Sequence, residues 1–331
     1  MTKAAPSFTV VSLFAGAGGS SLGYKLAGGK CQLAVEWNQK AADAYHLNFP
    51  DTPQFIGDVA ELTNDLALEL TGLKPGELDI LDGSPPCQGF STSGKRQAWD
   101  PRNELYRQQV RLLGAFKPKV TVMENVAGLV KGKMRLIFAD IVKQIKAEGY
   151  RVSARLMDAK YFGVPQARQR IIIIGVREDL DIEPTHPLAQ TFPIGAREAL
   201  EGIENKTFGP DLSDLDRLIW ATTNPGDRGA DTEWATKVRY WDKRKLHPRK
   251  PSPTVRATEG FLHWDESRRL TIEEVKRLQS FPDDYQLVGG YAQQWRQVGN
   301  SVPPLLMKAI AEHVEMTVLR PGAGGERRRS A

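Results

Sequence analysis

The run Asp82-Gly83-Ser84-Pro85-Pro86-Cys87-Gln88-Gly89-Phe90-Ser91 sets one thiol among stiff and open backbone. Residues 78–81 are apolar and predict a buried strand leading into it. The two prolines cannot donate to a sheet ladder, so the strand ends before them. Cys87 then sits on a loop at the strand's carboxyl end, the edge where open parallel sheets bind ligands. Two readings stay open on this stretch alone. Cys87 is a reactive nucleophile, or it is a buried structural thiol, the commoner fate of a free cysteine.

Other candidates fall at equivalent places. Thr9-Val10-Val11-Ser12-Leu13-Phe14 predicts a first strand. Ala15-Gly16-Ala17-Gly18-Gly19 follows, then a helical stretch to residue 28. Strand, glycine turn and helix form a cradle for a nucleoside or phosphate, though such a turn is also simply a tight turn. Glu36 ends the next strand, about 20 positions after the turn, where a carboxylate can meet ribose hydroxyls. A solvated strand-end glutamate fits that spacing equally. Asp58 follows a strand at 54–56 and is placed to accept from an adenine amino group. Glu124 ends a strand at 120–123.

The elements that must position these groups alternate. Strands and helices follow each other to about residue 177, ending in the β-branched run 171–176, which should be fully buried. That alternation predicts an α/β fold with a Rossmann-like, doubly wound, mostly parallel sheet. Glu36, Asp58, Glu124, the glycine turn and Cys87 then share one sheet edge. A domain over 1–177 is expected, then an irregular, proline-punctuated region over 178–264. Order resumes over 265–320, where Thr271 and Glu274 form a capping box. The Gly- and Arg-rich tail 321–331 is expected to be disordered.

The chain has 331 residues, 40% hydrophobic and 26% charged, which is ordinary for a soluble globular protein. No apolar run reaches membrane-spanning length, and the first residues lack a signal-peptide core. Two cysteines make no disulfide framework, so a reducing cytoplasm is expected. No Cys/His cluster points to a metal site. The net charge of +5 permits a polyanionic partner. Lys237, Arg239, Lys243, Arg244, Lys245 and Arg256 cluster with Trp234, Tyr240 and Trp241. Cations interleaved with aromatics suit phosphate contact and base stacking, while a charge run is also the mark of a solvated face.

Assembled, these stretches resemble the bacterial-type DNA (cytosine-5)-methyltransferases over nearly the whole chain. Phe14-Ala15-Gly16-Ala17-Gly18-Gly19, Glu36-Trp37, Pro85-Pro86-Cys87-Gln88, Glu124-Asn125-Val126, Gln166-Ala167-Arg168-Gln169-Arg170 and Gly299-Asn300-Ser301-Val302-Pro303 resemble family motifs, in order. The resemblance implies that Cys87 adds to C6 of cytosine, making C5 electron-rich. It implies that Glu124 meets N3 and that Arg168 and Arg170 lie beside the base. The implied methyl donor is S-adenosylmethionine, without a metal. Phe14, Gly16, Gly18, Glu36, Trp37, Asp58, Val59, Pro86 and Leu105 would surround it, closed by Asn300 and Ser301.

The implied substrate is double-stranded DNA, with the target nucleotide flipped out. Gln88 and Ser91 would hold that nucleotide or the gap it leaves. Residues 178–264 would form a target-recognition domain in which Lys237, Arg239, Tyr240, Lys243, Arg244, Lys245 and Arg256 contact DNA. A monomer is expected, with a restriction endonuclease as a separate partner or none. Three other readings stand beside this one: a tRNA cytosine-5 methyltransferase, a nicotinamide-dependent oxidoreductase, and a DNA-binding module without activity. The oxidoreductase leaves Cys87, Glu124 and the arginines unexplained.

Overall fold

The strand β1 (Phe8–Leu13) is buried along nearly its whole length, as expected of a strand covered on both faces. In the computed structural model, which describes residues 6–86, 105–204, 206–229, 243–258 and 260–320, it pairs in parallel on both sides. Its neighbours are β2 (Gly29–Glu36) and β4 (Ile80–Gly83). Beyond them lie β3 (Gln54–Ile56) and β5 (Val120–Val126), also parallel. The strand β8 (Gln169–Arg177) then pairs antiparallel with β5, and β6 (Tyr150–Asp158) completes the order β3-β2-β1-β4-β5-β8-β6. The chain runs outward from β1 to β3 and then crosses back to β4. That reversal opens a crevice at the carboxyl ends of β1 and β4, the usual ligand position in such sheets.

The helices α1 (Gly19–Leu26), α2 (Gln39–Asn48), α3 (Asn64–Thr71), α4 (Tyr106–Phe116) and α5 (Met134–Ala147) connect these strands. Local chemistry starts two of them. Asn38 accepts from the Ala41 N–H and Thr63 from the Leu66 N–H, satisfying donors that a first turn leaves open. Val11, Leu33, Leu81, Leu112, Phe116 and Ile173 belong to one continuous apolar core. The expected all-buried run 171–176 is buried throughout.

The chain divides into two compact units. The first comprises Met1–Met157, Gln169–Leu188 and Leu306–Ala331; the second comprises Asp158–Arg168 and Ala189–Leu305. The segment 265–320 is therefore shared, with Leu306 onward grouped with the sheet. Within the first unit, Arg320 donates to the Ser7 carbonyl at 2.8 Å, tying the late helix to the start of β1.

The second unit has short regular elements, as its lack of periodicity predicts. Among them are α6 (Ala196–Ala199), α7 (Asp214–Thr222), α8 (Ile272–Leu278) and α9 (Tyr291–Asn300). The two-residue strands β7 (Gln166–Ala167) and β10 (Ser252–Pro253) pair, as do β9 (Arg244–Lys245) and β11 (Phe261–Leu262). The capping box of Thr271 and Glu274 opens α8 with both reciprocal bonds made. The helix α10 (Pro304–Val314) follows, and from Leu306 on it is grouped with the first unit.

Candidate active site

At the carboxyl end of β1 the backbone turns sharply. Phe14, expected as the strand's last residue, instead adopts φ 55, a conformation that costs a non-glycine residue energy. Gly16 follows at φ 56, and a Cβ built on it meets nothing within 4 Å. The glycine is thus required by backbone conformation, and it faces open space. Gly18 precedes α1, whose first turn has no side-chain cap. Glu36, at the end of β2, reaches across to this turn. Its Oε2 accepts the Gly16 N–H and its Oε1 the Asn38 N–H, both at 2.8 Å. Burial pushes the Glu36 carboxyl above its ordinary range, while the N–H groups of Asn38, Gly16 and Trp37 oppose that shift.

Trp37, beside Glu36, is 78% exposed, an unusual position for an indole. Asp58 is exposed beyond β3, its Oδ1 accepting the Ala60 N–H at 2.9 Å, and Val59 is buried next to it. Pro86 is half-buried, and Leu105 packs against the apolar core. An uncapped helix start, an open glycine, a carboxylate with spare lone pairs and a bare indole fit the adenosyl and amino-acid parts of the expected methyl donor.

The other half of the edge carries acid–base groups. Glu124 lies in β5 and Arg170 at the start of β8. Because β8 runs antiparallel, its first residues arrive at the edge where β5 ends; Val126 pairs with Arg170 and Glu124 with Ile172. Side chains two residues apart share a sheet face, so Arg170 comes alongside Glu124. Arg170 Nε lies 2.7 Å from Glu124 Oε1, with side-chain exposures of 12% and 10%. Asn125 donates its Nδ2 to the Pro85 carbonyl at 2.9 Å, clasping the segment that leads to residue 87. Cys87, Gln88, Ser91, Lys237, Arg239, Tyr240 and the tail 321–331 lie outside the described residues.

Arg168 has a different place from Arg170. It is buried in the second unit, and its guanidinium donates to the carbonyls of Val255, Gly299 and Ser301 at 2.8–3.1 Å. These bonds tie its guanidinium to backbone carbonyls of its own unit. Ser301 is buried in that unit, its hydroxyl on the Gln297 carbonyl at 2.7 Å, and Asn300 is exposed. Gln166 is buried too, donating to Leu278 and accepting the Val255 N–H.

The basic run also divides. Lys245, expected to contact DNA, is buried. Its ammonium donates to the carbonyls of Trp220 and Thr223 at the end of α7 and lies 4.1 Å from the Trp220 ring centroid. A lysine there satisfies carbonyls that a last turn leaves open. Lys243 pairs with the buried Asp216 at 3.6 Å, where Arg269 joins at 3.0 Å. Arg244 is half-buried in β9, and Arg256 is exposed.

Sequence reasoning passed over Asp82. It is 1% exposed at the end of β4, and burial pushes its carboxyl up to about 7. An aspartate inside the apolar run Ile80-Leu81-Asp82 is the signal that could have found it. Among the described residues, no group of three or more His, Cys, Asp or Glu could hold a metal ion.

Comparison with known proteins agrees with this geometry. The model of the family described as C-5 cytosine-specific DNA methylase matches residues 8–316. The Type II methyltransferase M1.HphI of Haemophilus parahaemolyticus is 37% identical over 326 residues, covering 93% of this chain and 87% of that protein. The Type II methyltransferase M.DdeI of Desulfomicrobium norvegicum is 32% identical over 371 residues, covering 92% and 88%. Among solved structures, an E. coli prophage protein described as a DNA modification methyltransferase superposes with a TM-score of 0.80. It is 24% identical and covers 95% of this chain and all of that one, which supports the fold. The chain belongs to the C-5 cytosine-specific DNA methylases and is a DNA cytosine-5 methyltransferase.

Proposed function

We propose that the chain methylates C5 of cytosine within a specific sequence of double-stranded DNA by covalent catalysis through Cys87. The observation that carries this reading is the Glu124–Arg170 ion pair, with Asn125 holding Pro85 at the same sheet edge. Aromatic C5 is a poor nucleophile. Addition of the Cys87 thiolate to C6 forms a C–S bond and moves ring electrons toward N3 and C5. Glu124 supplies a proton or a strong hydrogen bond at N3, and Arg170 orients its carboxyl and faces the base. Once C5 has bonded to the donor's methyl carbon, loss of the C5 proton to a base and expulsion of the thiolate from C6 restore the aromatic ring. An unperturbed thiol is only a few per cent ionised at pH 7, so proton transfer or nearby positive charge must activate Cys87.

S-adenosylmethionine, when bound, supplies an electrophilic methyl group on a sulfonium. Phe14, Gly16, Gly18, Glu36, Trp37, Asp58 and Val59 hold it at the glycine-turn side, with Pro86 and Leu105 beside it. Asn300 and Ser301 belong to the motif expected to close the site. The base is extruded from the duplex before reaction, at an unstacking cost of a few kcal/mol. Arg244 and Arg256 remain candidates for DNA contact among the described basic residues, and Lys237, Arg239 and Tyr240 among the others. The enzyme works as a monomer, which suits flipping a base on one strand at a time, with a restriction endonuclease, where one accompanies it, acting separately.

Labelled methyl donor with duplex DNA tests the reading. Label should enter DNA with wild type and not with Cys87→Ser, and should not enter tRNA. A duplex carrying 5-fluorocytosine at the target should become covalently joined to the protein, because fluorine blocks the loss of the C5 substituent. No label in DNA, or undiminished label with Cys87→Ser, would refute it.

A further inference from the structure

Asp82 lies where three elements meet. It is opposite Ser12 in the register between β4 and β1. Its Oδ2 accepts the Ser12 hydroxyl at 3.2 Å, and its Oδ1 accepts the Tyr24 hydroxyl, from α1, at 3.1 Å. Ser20, in the first turn of α1, adds a third hydroxyl. Only Gly83 and Ser84 separate Asp82 from the Pro85 whose carbonyl Asn125 holds. One carboxylate thus joins the strand end that leads to Cys87, the strand that leads into the glycine turn, and the helix that follows that turn.

We propose that Asp82 is a positioning residue for methyl transfer: its ionised carboxylate locks the end of β4, and hence the root of the Pro85-Pro86-Cys87 run, to β1 and α1. This rests on the reading of Cys87 as the nucleophile. Packing alone does not call for a carboxylate here. An apolar side chain would fill the space without the cost of burying a charge, and ionisable groups held at such a cost concentrate at functional sites. Only a group with acceptor capacity on both oxygens takes all three hydroxyls at once. Protonation puts a donor where one hydroxyl donates, so the lock is complete only when Asp82 is ionised.

The titratable groups around Asp82 are Tyr24 on α1, Cys31 on β2 and Glu124 on β5. Burial raises Tyr24 and Cys31, so both stay neutral at working pH. The charge of Glu124 opposes ionisation of Asp82. A proton shared between Glu124 and the base therefore favours the locked form, coupling the two carboxyls across adjacent strands.

The test is the pH dependence of labelled methyl transfer to duplex DNA, from about pH 5.5 to about 9, for wild type, Tyr24→Phe and Asp82→Asn. The wild-type kcat should rise along an acid limb near pH 7. Tyr24→Phe removes a donor that favours the ionised form, so the limb should move up by about half to one pH unit. Asp82→Asn should flatten the limb and lower kcat about tenfold at high pH, with KM for DNA changed less than about twofold. A merely structural Asp82 would reduce the amount of active enzyme without moving the limb. Active variants whose limb coincides with wild type would overturn the proposal. If Asp82→Asn does not fold, the Tyr24→Phe shift alone decides. A wild type that transfers no label removes the function reading, and this inference with it; a labelled wild type with unmoved limbs removes only this inference.

Discussion

Arg170 Nε lies 2.7 Å from Glu124 Oε1, across the antiparallel seam between β5 and β8. The pair is nearly buried, so the guanidinium both neutralises the carboxylate and fixes its direction. Removing one member leaves the other charge poorly solvated.

Arg170→Ala should therefore lower kcat by at least about 100-fold and destabilise the fold by about 3 kcal/mol. Arg170→Lys should recover stability better than activity, because an ammonium lacks the planar fork. Labelled methyl transfer and urea unfolding of the two variants separate the effects.

Lys245 and Arg256 should part company. Lys245→Met removes a buried cap from the end of α7 and should cost about 1–3 kcal/mol in urea unfolding, with the salt dependence of DNA binding unchanged. Arg256→Ala should leave the thermal midpoint within about 2 °C and reduce the slope of log affinity against log salt by about 1.

Gly299→Ala should destabilise the second unit. A Cβ at 299 would fall 2.2 Å from the Arg256 carbonyl oxygen. That same carbonyl accepts the Trp295 indole N–H at 2.9 Å, one turn earlier on α9. The backbone is thus held close by one residue and admitted by the other, so it cannot simply retreat. A loss of about 2 kcal/mol or more is expected from urea unfolding.

Asp82 also predicts a stability profile. Its carboxyl titrates at about 7 in the fold, against an ordinary 3.8. A raised carboxyl favours the folded state most when protonated, so its contribution is full below about pH 4 and is lost as pH rises to about 7. Wild type should lose on the order of 4 kcal/mol relative to Asp82→Asn across that window. Urea midpoints of both proteins at several pH values check the sign; a difference that does not change with pH would contradict it.

Much of this site was legible because it depends on backbone periodicity and on residues at strand ends. The alternation up to residue 177 gave the strand order its logic, and Glu36 and Glu124 do lie at the carboxyl edge. Less legible was what distinguishes two similar side chains. Arg168 and Arg170 are two residues apart, which in an unbroken strand puts them on one face. The ladder is interrupted between β7 and β8, so Arg168 turns to three carbonyls while Arg170 meets a carboxylate. Lys245 was hidden likewise, because charge clustering does not say which ammonium faces the end of a helix. Phe14 reads as a β-branched strand's natural last residue, yet the glycine turn draws it to positive φ.

Every strand of the seven-stranded sheet ends by Arg177, ahead of the long excursion through Ala189–Leu305. During synthesis all main-chain partners of that sheet are made before the excursion is translated. A change in the length of that excursion would leave the pairing partners untouched, so it can vary without re-solving how the sheet assembles.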